Sequence, residues 1–510
     1  MDYKSVKQSV CVNETVFSKK GEVPFDIDFT MPDYCPDIMK ILKCRATPRI
    51  SSKSINGNNV TIDGNITVNV MYCDTSGCVY NYEQISPFSK TFEADCDIVS
   101  GFAKANVHNE YVNCRAVTER RIDIHGALCL NVSVIVRKTH DVIAEVEPEE
   151  IQINRKVVNA LNSLGLAEKG LLIEEELELS SGADAIESIL QYDAIPLVNE
   201  VKVMKNKVAV KGELTLNVMY CSKGHSRYHT YKTTVAYSQF IDLENVNEDC
   251  NVEAAAEVSF LEVRTRKGSE ECKEILLNAK LCISVRAFCK TEVPVISDAF
   301  STKHELTLTK NDISLENLVE TLNSEYMFKE CFDFPENSLC DIVNYWVDTV
   351  VNNCKYSNGK ITANATLSLC LLVSDENKAV SYFEKNADFV IECESNIKEL
   401  KDIFCHTQLK AISSSYTILS DSRLEFRCEY KVTVHLKQKC KEPLLVEIIF
   451  EKKEKKKQND CAVVLYYPNE NENLWDIAKR YNSDVSELKR INGIEESTVT
   501  SNKVLLIPVY

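Results

Sequence analysis

The sequence predicts a mainly β protein, with tandem β-sandwich or open-barrel repeats joined to a small C-terminal βααβ module. Three observations carry that expectation. Residues Val60 to Tyr72 read VTIDGNITVNVMY and recur 148 positions later as VAVKGELTLNVMY, with a weaker third copy from Ile361 to Leu371. Such internal repetition is a primary sign of a repeated architecture. In the first copy Val60, Ile62, Gly64, Ile66, Val68, Val70 and Tyr72 alternate with polar residues, the period-two pattern of a half-buried strand. From Ala462 onward the pattern changes to a strand, two short helical stripes and a closing strand.

Taken in order, Val23 to Phe29 is extended, and MPDYCPDIMKIL follows. Its two prolines forbid a regular helix before Asp37, so Asp37 is expected to cap a short helical turn carrying Ile38, Ile41 and Leu42. Hairpin turns at Asn56-Gly57, Asn206 and Asn358-Gly359 lead into the three long strands. Each long strand would span about 40 Å at ~3.3 Å per residue. Gly64 and Gly212 mark where a bulge or a close backbone approach would bend it. Each unit then ends in a second alternating run, around Ile122–Val136, Leu277–Ala287 and Leu424–Leu436. Val157, Val158, Leu161 and Leu164 fall at helical spacing and predict a connector helix within Glu150–Lys169, with a weaker case at Ile313–Leu322.

The resulting division is a first β repeat over 1–150, a second over 151–300, a divergent third over 301–450, a charged linker over 451–460 and a small module over 461–510. The linker, EKKEKKKQND, has no apolar residue to bury. In the last module Leu474, Ile477, Ala478 and Tyr481 form one helical stripe and Val485, Leu488 and Ile491 another. Asp484 with Glu487 suits a capping box, and Gly493 a C-terminal stop.

Composition narrows the function. A formal net charge of -17 argues against a general nucleic-acid binder, whose affinity comes from neutralising phosphates. Hydrophobic residues at 44% and charged residues at 26% are those of a globular chain, with no apolar run near the ~20 residues of a membrane helix. Met1 to Val10 does not read as a secretory signal. The 22 cysteines contain no CxxC pair and are expected as reduced thiols, several of them, such as Cys129, Cys282, Cys370 and Cys428, acting as small hydrophobes. Neither they nor the eight histidines form a ligand cluster in the sequence, so no metal and no cofactor is predicted. No GxxxxGK[ST], HExxH, GxSxG or GxGxxG occurs, and the repeats share no Ser, His or Asp set, so no catalytic residue is assigned. Acidic pairs such as Glu149-Glu150 read as solvated faces rather than a glycosidase pair.

The stretch LWDIAKRYNSDVSELKRING followed by VLLIP resembles a LysM domain. MPDYCPDIMKIL, LLIEEELELSSGADAIESIL and VAVKGELTLNVMY resemble the repeated SPOCS-type β domain of SipL-type spore coat morphogenetic scaffolds. That resemblance implies a noncatalytic interaction scaffold of the mother-cell cytoplasm at the forespore surface, docking on a coat morphogenetic ATPase and other coat proteins. The partner-binding residues it implies in the LysM module are Val463, Asn471, Glu472, Asn473, Leu474, Trp475, Asn492 and Ile494. Trp475, beside the stripe of its helix, is expected partly exposed as a partner anchor. The LysM family generally carries Gly-Asp-Thr where Asn471, Glu472 and Asn473 stand here, which weakens the case for an N-acetyl sugar polymer or precursor as ligand. A second reading is a binding protein for peptidoglycan or its lipid-linked precursor, or a cell-wall hydrolase accessory, acting through the LysM domain.

Overall fold

The structure is a computed structural model, describing residues 4–95, 97–147, 151–223, 227–266, 272–375, 379–397, 402–454, 461–469, 472–496, 498–499 and 504–509. The chain builds the same six-strand unit three times. The first comprises β1 (Lys4–Thr30), β2 (Lys40–Asn56), β3 (Asn59–Cys73), β4 (Val79–Glu93), β5 (Phe102–Thr118) and β6 (Arg121–Glu147). The second comprises β7 (Ile151–Glu178), β8 (Ile186–Met204), β9 (Lys207–Ser222), β10 (Tyr228–Asp242), β11 (Asn251–Thr265) and β12 (Glu274–Ser301). The third comprises β13 (His304–Asp333), β14 (Asp341–Ser357), β15 (Lys360–Ser374), β16 (Val380–Glu394), β17 (Ile403–Ser420) and β18 (Arg423–Glu454). Each unit is a sandwich of two three-stranded antiparallel sheets, β2-β3-β4 against β1-β6-β5 in the first, with the matching order in the others. The alternating residues Val60, Ile62, Ile66, Val68 and Val70 of β3 face Ile122, Ile124, Leu128 and Leu130 of β6 in one core. The alternation read from the sequence therefore faces inward.

The hairpins before the long strands close through two-residue turns with positive φ at Gly57, Asn206, Asn358 and Gly359. Gly64 and Gly212 are points of close approach. A Cβ at Gly64 would strike the Arg49 carbonyl and the Phe88 ring, and one at Gly212 the Leu197 carbonyl and the Tyr237 ring. Both lie opposite a bulge in the neighbouring strand, between Ile50 and Ser52 or between Val198 and Glu200.

A second bulge recurs in each unit and joins the three. It leaves Leu42, Leu190 and Val343 out of register with their partner strands. A bulge re-aims a side chain, and these three meet Met71, Met219, Leu372, Cys73 and Cys221 in a core shared by all units. The long strands continue past the sandwiches as three two-stranded arms. Val10, Val142, Val158, Val295, Ile313 and Leu444 pack between the arms, and Ile143, Ile296 and Leu445 pack again nearer their tips. The single chain thus mimics a closed trimer. Polar contacts reinforce it: Lys43 reaches Glu384 at 2.6 Å, Lys53 reaches Glu168 at 2.6 Å, and Arg45 lies 3.8 Å from Asp193 and 3.7 Å from Asp348.

Three local expectations are corrected. Residues 151–169 are strand β7, not a connector helix, and 313–322 lie in strand β13. Register shifts at Ala287/Phe288 and Leu318/Glu320 break the period of two, which gave the apolar residues a helical spacing. Asp37 caps no helix. Its carboxylate accepts from Arg120 Nη1 at 2.7 Å, and the same guanidinium donates to the carbonyls of Met31, Pro32 and Cys35, holding the proline-rich turn onto the β5–β6 connection. Of the expected linker, Glu451–Glu454 lie in β18 and 455–460 fall outside the described residues.

Candidate functional site: the C-terminal module and its seat

The module consists of β19 (Val463–Tyr466), β20 (Glu472–Asn473), α1 (Leu474–Tyr481), α2 (Val485–Asn492), β21 (Thr498–Val499) and β22 (Leu505–Pro508). Its core is Leu474, Ile477, Ala478, Leu488, Leu505 and Ile507. Asn473 caps α1 by accepting from the Trp475 amide at 3.0 Å. Asp484 caps α2, accepting from the amides of Ser486 and Glu487 at 2.8 and 3.0 Å, and Gly493 ends it at φ 61°. Glu487 does not reach back to close a box; it pairs with Arg490 at 2.6 Å.

Most of the residues assigned to partner binding are engaged within the protein. Glu472 accepts from the Tyr466 hydroxyl at 2.9 Å and the Asn469 amide at 3.1 Å, and pairs with Arg480 at 3.2 Å. Burial pushes its carboxyl pKa up, but those donors outweigh it and the pKa is lowered. Asn492 donates to the carbonyls of Leu488 and Leu506 at 2.8 Å and accepts from the Leu506 amide at 2.7 Å, fastening β22 to α2. Leu474 is buried, Ile494 packs against the core, and Asn471 lies outside the described residues.

The exposure expected of Trp475 is also corrected, since it is 9% exposed. Its ring stands edge-on to Phe300 of β12 at 4.9 Å between centroids, and its Nε1 donates to Asp298 Oδ2 at 2.9 Å. Lys479 donates to the same oxygen at 2.6 Å. Across the arm, Gln152 of β7 donates to Asp484 Oδ2 at 2.7 Å. The module is therefore seated on the tip of the second arm through Trp475, Lys479 and Asp484. Burial alone would raise the Asp298 pKa, yet the hydrogen bonds from Lys479 and Trp475 and the charge of Lys310 hold it low. Asp298, Phe300 and Gln152 carry no motif, and only their place at an arm tip gives them this role.

Among the described residues of the assigned set, Val463 alone lies on an open surface. It is 51% exposed, and the outer face of β19 and β22 continues from it through Leu465 at 63%, with Leu506, directly opposite Leu465, at 40%. Tyr467 and Val504, just beyond the paired residues, are exposed as well. This apolar face points away from the module's own core, which takes the alternate residues Val464, Tyr466, Leu505 and Ile507. The sequence shows it as period-two alternation in VVLY and VLLIP, once the inward residues are known.

For metals, the described residues bring together one group that the sequence did not reveal: the donor atoms of His108, Glu110 and Cys129 lie within 4.8 Å of one another. His108 stands directly opposite Cys129, but Glu110 also lies 3.9 Å from Lys20. Among the described residues no helix is long and apolar enough to cross a membrane.

Comparison with known proteins agrees with this architecture. The family described as SipL, SPOCS domain, matches residues 37–117 and 185–265, which run from the proline-rich turn of the first unit and its counterpart in the second to the edge strand. The LysM domain family matches residues 469–508. No curated protein and no solved structure matches the chain. SPOCS and LysM are binding-type domains, and the SPOCS match ties the chain to sporulation. The chain is thus SipL-like, with two SPOCS domains arranged ahead of a C-terminal LysM domain.

Proposed function

We propose that the protein is a noncatalytic scaffold of endospore formation that docks on the spore coat morphogenetic ATPase and localises coat around the forespore, from the mother-cell cytoplasm. The observation that carries this reading is the outer face of the LysM sheet. Val463, Leu465 and Leu506 expose contiguous apolar surface on a module that is itself held in a fixed seat. An open apolar patch on a rigid element is what protein recognition requires. The seat also determines which surface is free, because Trp475 is used internally.

The units are proposed as domains bounded near Glu150, Ser301 and Glu451, and limited proteolysis should cut first within 455–460, beyond the end of β18, where the sequence has no apolar residue to bury. A pull-down from sporulating cells should recover the coat ATPase with the full chain and lose it with a chain ending at Glu454, while other coat proteins remain bound to the β units. Recovery of the ATPase by the shortened chain would exclude the module as its dock.

The LysM match favours a second reading, binding of an N-acetyl sugar polymer or its lipid-linked precursor. Sedimentation with purified peptidoglycan tests it directly. The scaffold reading predicts neither co-sedimentation nor hydrolysis.

A further inference from the structure

The three units place an edge strand at the same position, and one of them is different. β5, β11 and β17 each pair on one side with β6, β12 or β18 and lie beside β2, β8 or β14 of the facing sheet on the other. In the first unit Val112 and Cys114 near the end of β5 pack on the core, and in the second Leu261 and Val263 do so from β11. In the third the corresponding run, Ala411–Ser420, is exposed at every residue. The seam is held at one end, where Thr407 donates to the Cys354 thiol at 3.0 Å. At the other end Tyr345 of β14 spans it, donating from its hydroxyl to the Ser414 carbonyl at 2.9 Å.

Charge separates the three edges as well. From the bulge onward β5 carries Glu110 and Arg115 over 109–118 and β11 carries Glu262 and Arg264 over 258–265, whereas AISSSYTILS over 411–420 carries none and the last charge of β17 before it is Lys410. Charged side chains are the usual protection of an edge strand against pairing with another chain. At the comparable bulge the first unit has Glu110 and the third has Ile412, which is 52% exposed.

This unguarded edge fronts a cleft of about 590 Å³ between the second and third units, within the size range of functional pockets. The third unit walls it with 411–414 and Tyr416 of β17 and with 342–348 of β14, and the second with residues of β8, β9 and β10. Its charged lining residues balance, Arg45 and Lys232 against Asp193 and Asp348.

We propose that the free edge of β17 takes up an extended, uncharged polypeptide segment of a partner protein, which adds a fourth strand to the sheet β13-β18-β17. A row of backbone N–H and C=O groups at strand spacing is complemented by another strand, and the balanced, hydroxyl-rich wall selects a segment without net charge. Tyr345 gives up the Ser414 carbonyl to the incoming backbone. A second copy of this chain does not fit, because the same edge in that copy lies behind its own second unit. The proposal does not depend on what the LysM module binds.

The probe is a fluorescein-labelled peptide of alternating threonine and valine with an oligo(ethylene glycol) tail, titrated with the full chain by anisotropy and followed by amide hydrogen exchange. We expect saturable binding and slowed exchange at alternate amides of 411–420. Binding should weaken by about tenfold or more when alternate peptide nitrogens are methylated, and equally with the chain variant Ser415→Lys/Thr417→Lys. The methylated peptide keeps the test valid if the variant folds poorly. The proposal is overturned by absent binding, by binding indifferent to methylation, by protection at β5 or β11 instead, or by a concentration-dependent dimer that the lysines dissolve.

Discussion

In the first two units the centre of the long strand is a glycine roofed by an aromatic ring, Gly64 under Phe88 and Gly212 under Tyr237, whereas the third has Ala365 opposite Phe389. The third unit is also the one whose edge strand leaves the core beyond Leu409, and the SPOCS matches at 37–117 and 185–265 do not extend to it. Yet its six strands pair in the same order, and Leu367, Leu369 and Leu371 fill the same kind of core. Alternation of apolar residues is enough to build the sandwich, because burying one face fixes the register. The glycine and its ring mark a tighter version of the same fold. In the third unit the ring is kept and the glycine alone is replaced, and this is also the unit that leaves 411–420 of its edge strand exposed.

The largest expected effect tests that contrast. Gly212→Ala places a Cβ against the Leu197 carbonyl, which cannot easily move because the Tyr237 hydroxyl donates to it at 2.9 Å. Overpacking of this kind should cost about 3 kcal/mol. The reverse change in the third unit, Ala365→Gly, should cost about 1–2 kcal/mol, the backbone penalty of glycine in a strand plus the burial of one methyl. Denaturant unfolding of the two variants measures both, and equal losses would show that the glycine has no special place.

The arm tips offer the next contrast. Counting from the bulge in each arm, Phe300 corresponds to Glu147 and Ile449, so the second arm alone offers the module an aromatic partner. Phe300→Glu should release the module at a cost of about 2 kcal/mol, combining a lost aromatic pair with lost apolar burial. The fluorescence of Trp475 would shift to the red while the module keeps its helical signal. An unshifted spectrum would place the seat elsewhere.

Arg45 of the first unit lies between Asp193 of the second and Asp348 of the third. Burial would lower its pKa, but Asp193 and Asp348 outweigh that and keep it firmly charged. Arg45→Met should destabilise by ~1–2 kcal/mol, less than a fully buried pair because the Asp348 side chain is 56% exposed. A stabilised variant would mean that desolvation exceeds the attraction.

The smallest expected effect is on pH. The folded-state pKa of Asp298 is lowered, so its contribution to seating the module is complete above the ordinary carboxylate value of ~3.9 and is lost as pH falls through the lower folded value. Acid titration of Trp475 fluorescence should show release below about pH 4, and Asp298→Asn should weaken that dependence, leaving the part that Asp484 contributes through Gln152. Release on raising the pH instead would contradict the assignment.

The strands with unbroken alternation were legible from the sequence, from Val60 to Tyr72 and again from Val208 to Tyr220, because one face of each is wholly buried. The arms were not. Val157 is 59% exposed and Val158 6%, and the register shift farther along β7 moves later residues out of phase, so neighbouring apolar residues imitate a helix. Trp475 was misplaced for a different reason. Helical periodicity places a residue on a face of its own helix, but it does not say that an arm tip 175 residues earlier in the chain, at Phe300, will cover that face. The shared cores around Leu42, Leu190 and Val343 depend on bulges, which leave no composition signal.

The most direct test of the account is the affinity of the purified full chain for the purified coat ATPase, measured by biolayer interferometry with Leu465→Glu/Leu506→Glu beside the unaltered chain. Both side chains are exposed and contribute nothing to the module's core, so the melting temperature should fall only by the small repulsion of two glutamates standing opposite each other. The account predicts a loss of about tenfold or more in affinity, the scale expected when charge enters an apolar contact. Undiminished binding by a correctly folded variant would contradict it.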